Sequence, residues 1–348
     1  MSQSFKYLFI ALFLVACQSQ APEDTTHSAY YWTTTFQLSQ QKRDFIRDHH
    51  IRRLYVRFFD VISDEQGGAL PNATITFADT VPSDLEIIPT VFIMNDCLTH
   101  PADSLAQHIS SRILKMCRTH DIPNVREIQI DCDWTARTQQ AYFQLLADMR
   151  QLLKPDSIEL SSTIRLHQLA TAPPPVSRGT LMIYNTGDPT DRNCLNPIFA
   201  PEDIKPYLRH IKSYPLPLSQ AYPIFSWDRL FRASQFIGIQ HFEGEYPVIP
   251  GDTIITSRAA TTDILEIKKL ISQRINHSLH EIILFDLSEP NISAYPPPTS
   301  PQSTNNPPPP GLSHLLRKRI TVFVVLSIYR YIEYVVQSNP RPDGQKSF

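Results

Sequence analysis

Between residues 28 and 290 the chain alternates two kinds of apolar pattern. Short, nearly continuous apolar runs predict strands over 29–36, 53–62, 86–94, 125–134, 158–166, 180–185, 218–225 and 281–287. Runs of this kind suit strands covered on both faces. Between them, apolar residues recur every three or four positions and predict helices over 37–50, 104–120, 135–153, 201–214 and 261–276. Leu105, Ile109, Ile113 and Met116 make one such stripe, and Tyr142, Leu145, Met149 and Leu152 another. Ala200-Pro201-Glu202-Asp203 carries proline and acids where a helix begins. Eight strands alternating with helices predict an α/β fold, a single (β/α)8 barrel of TIM type. An open doubly wound sheet is the alternative, and it lacks its Gly-rich first turn here.

The flanks read differently. Lys6 is followed by the apolar run 7–16, too short to span a bilayer and suited to a signal sequence. That run ends in Leu14-Val15-Ala16-Cys17, which resembles the bacterial lipobox. The resemblance implies a signal peptide over 1–16, acylation of Cys17 and a polar tether over 17–27. Several acyl chains on one residue anchor a protein stably. By the same resemblance, the absence of Asp after Cys17 points to the outer membrane. Nine prolines between residues 290 and 310 predict an extended, unpacked linker over 291–312. A basic and apolar tail, 313–348, follows, and its apolar stretch 320–328 is short for a membrane span. No role is assigned to this tail.

Composition narrows the function classes. The chain has 348 residues, 42% apolar, with a net charge of −2, so no basic excess argues for nucleic acid. Thirty prolines stand against nine glycines, and no Gly-rich phosphate loop occurs. Beyond Cys17 the cysteines are Cys97, Cys117, Cys132 and Cys194, with no Cys-x-x-Cys pair and no zinc spacing. An exported setting permits disulfides, whose pairing the spacing leaves open. No cofactor or metal site is expected.

In barrels of this type the chemistry sits at the carboxyl ends of the strands. In Glu127-Ile128-Gln129-Ile130-Asp131-Cys132-Asp133-Trp134-Thr135, alternation places Asp131, Asp133 and Thr135 on one face and Cys132 and Trp134 on the other. Two carboxylates about 6.6 Å apart along a strand suit general acid and base work at an open, solvent-reached mouth. Ser161, Thr163, Arg165 and His167 share a face of the next strand, where Arg165 is a natural ion partner for Asp131. Arg57 and Asp60 close the second strand, and Asp286 ends the last. Trp32, Tyr55, Tyr184, Tyr222 and Trp227 lie on or near strand ends, where rings stack on the apolar faces of sugars.

These residues resemble the family 18 glycoside hydrolases, whose fourth strand ends in D-x-x-D-x-D-x-E. Asp131 and Asp133 fall on the last two aspartates, and Trp134 on the tryptophan that often precedes the glutamate. Ile128, Gln129 and Thr135 depart from the pattern. The family's M-x-Y-D is matched by Met182-Ile183-Tyr184-Asn185, with Asn for Asp. In the family, that Tyr and acid contact the substrate's acetamido group. The resemblance implies a glycan as ligand. It also implies that Tyr184 and Asn185 contact that ligand, while the paired carboxylates Asp131 and Asp133 read as the acid/base pair and the strand-end positions of Arg165, Arg57, Asp60, Trp227 and Asp286 make them further binding candidates. Thr135 replaces the proton-donating glutamate, and a threonine hydroxyl has no proton to give near neutral pH. Hydrolysis therefore requires another acid: Asp133 first, then Asp286, then Glu243 or Glu245. The expectation is a lipid-anchored envelope barrel that binds a glycan and, in the fuller reading, hydrolyses it. A non-catalytic glycan-binding module and an envelope scaffold recruiting partners through its Pro-rich tail are the alternatives.

Overall fold

The computed structural model describes residues 25–294 apart from 65–67, 102, 241–244 and 276–277. The Cys17 motif and its tether up to residue 24, the Pro-rich stretch from 295, the tail and Glu243 lie outside the described residues.

Eight strands form the closed barrel: β1 (Thr26–Tyr31), β2 (Ile51–Ser63), β3 (Glu86–Ile93), β4 (Glu127–Asp131), β5 (Glu159–Arg165), β6 (Arg178–Met182), β7 (Leu218–Pro223) and β8 (Ser278–Phe285). Neighbours in sequence are neighbours in space and run parallel throughout. β8 pairs with both β7 and β1, and β1 pairs with β2, which closes the ring. The expected (β/α)8 architecture is present. Both faces of the strands are covered, which explains their continuous apolar runs. Ile128, Ile130, Cys132 and Trp134 join the outer core beneath the helices, whereas Tyr30, Tyr55, Ile88, Met182, Ala221 and Ile283 fill the interior.

The interior is layered and unusually polar. At the amino-terminal end, the Arg53 guanidinium meets Glu86 at 3.0 Å, Glu127 at 2.7 Å and Glu281 at 3.0 Å. Glu281 also accepts the hydroxyls of Ser28 and Ser219, each at 2.6 Å. One layer up, Tyr30 donates to Gln129 Oε1 at 2.6 Å, and Gln129 Nε2 donates to Thr180 at 3.0 Å. Buried polar groups are tolerated when they satisfy one another in this way.

The helices are α1 (Gln40–Asp48), α2 (Leu105–Thr119), α3 (Gln139–Leu153), α4 (Pro201–Ile204), α5 (Thr261–Ser272) and α6 (Glu289–Ser293). Ser39 caps α1 by accepting the Lys42 N–H. The buried face of α3 runs through Tyr142, Leu145, Leu146, Met149 and Leu153, so Leu152 turns outward. The helix expected over 201–214 breaks after Ile204 into short 3-10 turns. Pro206 lacks the N–H that a continuing α-helix needs. Among the described residues, no helix lies between β2 and β3. Ala69–Asn72 instead pairs antiparallel with the end of β2, and Thr35–Phe36 pairs with Thr76–Phe77. The segment after β7 adds a three-stranded antiparallel sheet of Ser226–Arg232, Gln235–Gln240 and Thr253–Arg258. Cys97, Cys117, Cys132 and Cys194 are all free thiols, the first three buried.

Candidate active site

At the carboxyl end of β4, the inner face continues from Gln129 to Asp131. Asp131 accepts the Thr163 hydroxyl from β5 at 2.6 Å and one Arg165 N–H at 3.1 Å. The same guanidinium donates through Nε to Asp133. One arginine therefore bridges both acids, which answers the cost of placing two carboxylates side by side. The group is more enclosed than the open mouth the sequence suggests: Asp131 is 4% exposed, and the Asp133 and Arg165 side chains are each 14% exposed. Burial pushes the Asp131 carboxyl above the ordinary aspartate range, and the charge of Asp133 adds to this, while Arg165 opposes it.

A second buried pair stands beside the first. The register shift between Arg57 and Phe59 in β2 brings Arg57 and Asp60 into a two-point ion pair. Burial raises the Asp60 carboxyl despite this partner, and the Asp60 charge in turn raises Asp131. The Arg57 guanidinium lies 5.6 Å from the Trp32 ring centre, a cation–π contact that holds the indole.

From Trp32 an aromatic band crosses the mouth. Trp32 packs on Phe285 at 5.5 Å, Phe285 on Tyr184 at 5.1 Å, Tyr184 on Phe225 at 5.9 Å, and Phe225 on Trp227 at 5.6 Å. Four of these five rings are only half-buried: Trp32, Phe285, Phe225 and Trp227. The rim beside them is fixed from behind. Arg229, fully buried, donates to the carbonyls of Pro189, Asp191 and Cys194 and so clamps the loop after β6.

The remaining expected residues fall elsewhere. Asn185 lies past the end of β6 with a left-handed backbone (φ 56°), and its N–H donates to Ile198 O at 2.8 Å. Asp286 accepts from the Ser288 N–H and from Asn291 of α6, so its hydrogen bonds run away from the Arg165 group. Burial raises the Asp286 carboxyl, and these donors oppose the rise. Tyr55 lies deeper, against Glu281, and Tyr222 packs outward on Phe199. His167 does not extend the inner face. β5 stops at Arg165, a 3-10 turn over Leu166–Ala170 takes over, and His167 is exposed. Thr135 is tied into the start of α3: its N–H donates to Thr138 Oγ1 at 3.0 Å, and the Thr138 hydroxyl donates to Asn95.

Phe285, Phe225 and Arg229 were not among the residues expected at the site. Alternation along β8 is the signal for Phe285, because Glu281, Ile283 and Phe285 share the inner face. Among the described residues, no group of three His, Cys, Asp or Glu side chains is placed to hold a metal, and no helix is long and apolar enough to cross a membrane.

Solved structures carry the same architecture. The spore cortex-lytic enzyme SleL of Bacillus cereus superposes with a TM-score of 0.51 at 14% identity, covering 78% of this chain and 73% of that one. SleL of Bacillus megaterium QM B1551 superposes with a TM-score of 0.52 at 12% identity, covering 79% and 75%. A chitinase from Chromobacterium violaceum ATCC 12472 gives 0.49 at 12% identity over 78% and 98%. The barrel has a glycoside-hydrolase-like fold. No protein-family model matches the chain, and no curated protein does.

Proposed function

We propose that the carboxyl-end mouth of this barrel binds a glycan. The carrying observation is the half-buried aromatic band from Trp32 to Trp227 beside the Asp131–Arg165–Asp133 group. Rings of this kind stack on sugar C–H faces, and carboxylates and guanidiniums take hydroxyls as hydrogen-bond partners. The fold shared with two spore cortex-lytic enzymes is consistent with a glycan ligand. By the sequence pattern, Thr135 falls at the position of the resembling family's proton donor, and this favours binding without hydrolysis. One observation supports the hydrolytic reading: burial holds Asp131 toward its protonated form, which suits proton donation.

The test is calorimetry against a panel of oligosaccharides, run together with product analysis. Trp32→Ala is expected to weaken binding by about tenfold or more, the loss of one stacking ring. Unchanged affinity for every sugar in Trp32→Ala would sink the proposal. Product release that disappears in both Asp131→Asn and Asp133→Asn would favour hydrolysis, and binding with no product would favour the binding module. We extend the proposal to an envelope location, in which an acyl group on Cys17 anchors the chain at the outer membrane through the residues before β1, which begins at Thr26 and so shortens the tether expected over 17–27. Mass spectrometry of the mature amino terminus tests this, and an unmodified Cys17 refutes it.

A further inference from the structure

A cavity of about 1070 Å³ opens at the other end of the barrel, away from the aromatic band. Its walls include Arg52, Arg53, Arg126, Glu127, Glu159 and Arg178. Two features separate it from an ordinary polar recess. First, Glu127 is 3% exposed at its side chain and spends only one carboxylate oxygen on its neighbours. Oε2 faces Arg53 at 2.7 Å and Arg178 at 3.6 Å. Oε1 is buried and has no hydrogen-bond donor among the described residues. A buried carboxylate oxygen left without a donor is costly, so such atoms find a partner. Second, Arg52 and Arg126 are exposed on the walls and form no ion pair among the described residues, while Arg178 is already held by Glu159 at 2.6 Å.

We propose that this cavity is a second ligand site, for a small zwitterion that sets an ammonium group against Glu127 and an acidic group against Arg52 and Arg126. Three ammonium protons supply the donor that Glu127 Oε1 lacks, and guanidiniums take carboxylate or phosphate oxygens in pairs. The site is independent of the mouth and of whatever the mouth binds.

The experiment titrates the full chain by calorimetry with glycine, β-alanine and O-phosphoethanolamine, and with methylamine and acetate as single-charge controls. At least one zwitterion is expected to bind about tenfold more tightly than either control, as two charged contacts require. Arg126→Glu and Arg52→Glu lie on the exposed wall, leave the fold intact and should abolish the gain. Glu127→Gln should abolish it too, and if that variant fails to fold the wall variants carry the test. Asp133→Asn at the mouth should leave it unchanged. The proposal is overturned if no zwitterion exceeds the controls, if Arg126→Glu binds as the parent does, or if Asp133→Asn removes the binding. A soaked crystal that shows only an ordered water on Glu127 would overturn it as well.

Discussion

Arg165→Met removes the cation that bridges Asp131 and Asp133 while keeping most of the side chain's length. At an effective dielectric constant of about 20, unit charges 3.1 Å apart interact by about 5 kcal/mol before desolvation is subtracted. All three side chains are at most 14% exposed, so solvent screens the group little. Breaking a buried pair by removing one partner costs about 3–5 kcal/mol, because the other charge stays buried and uncompensated. For a folded unit of this size that is a fall of about 5–9 °C in Tm at pH 7. The sign with pH follows from Asp131. Its folded-state carboxyl is already raised by burial and rises further without Arg165. A raised carboxyl destabilises the fold above its titration and does so less as pH falls. The deficit of Arg165→Met should therefore shrink as pH is lowered from 7 toward 4, and the triple variant Arg165→Met/Asp131→Asn/Asp133→Asn should recover most of it at pH 7. Thermal unfolding by circular dichroism at both pH values checks this. A deficit under about 1 kcal/mol, or one equal at both pH values, would refute the claim that charge pairing holds these residues.

Asp131→Asn keeps the acceptor for Thr163 and removes a buried charge. Because burial raises the Asp131 carboxyl, its stability relative to the parent should be more favourable at pH 7 than at pH 4, the difference fading as pH falls and Asp131 itself protonates; denaturation at two pH values reads it. Tyr30→Phe leaves Gln129 Oε1 buried without its 2.6 Å donor, and a loss of about 1–3 kcal/mol is expected in the denaturation midpoint with an unchanged slope. Burial pushes the Cys97 thiol up to about 11 and the Cys117 thiol up to about 12. Native-state iodoacetamide labelling at pH 8, followed by mass spectrometry, should therefore mark the half-buried Cys194 first among the four described cysteines. Equal labelling of Cys97 or Cys117 would count against their burial.

The barrel itself was legible because strands buried on both faces write a continuous apolar run, and the eight runs fall on the eight strands to within a few residues. The inner face of β4 was equally legible. A period of two carries Gln129 and Asp131 inward whatever surrounds them, and Ile130 and Cys132 outward. What stayed hidden follows from the same logic. Asp286 drew notice for its charge, but β8 turns Phe285 inward and Asp286 bonds back onto α6. The sheet over 226–258 is built from short, half-exposed strands such as Thr253–Arg258, whose pattern is too mixed to separate from loop. The ion network at the base was missed because an isolated Arg53 or Glu281 in a strand reads as a solvent-facing charge. Only closure of the ring brings residues 228 positions apart to 3.0 Å.

Arg53 with its three glutamates, and the Tyr30–Gln129–Thr180 layer above it, plug the barrel axis with side chains that hold one another in place. The barrel axis is filled by side chains at these two levels, as in packed barrels of this type, which separates one end from the other. The two ends can drift or be redesigned separately, because a change in the chemistry of one reaches the other only across two locked decks of hydrogen bonds.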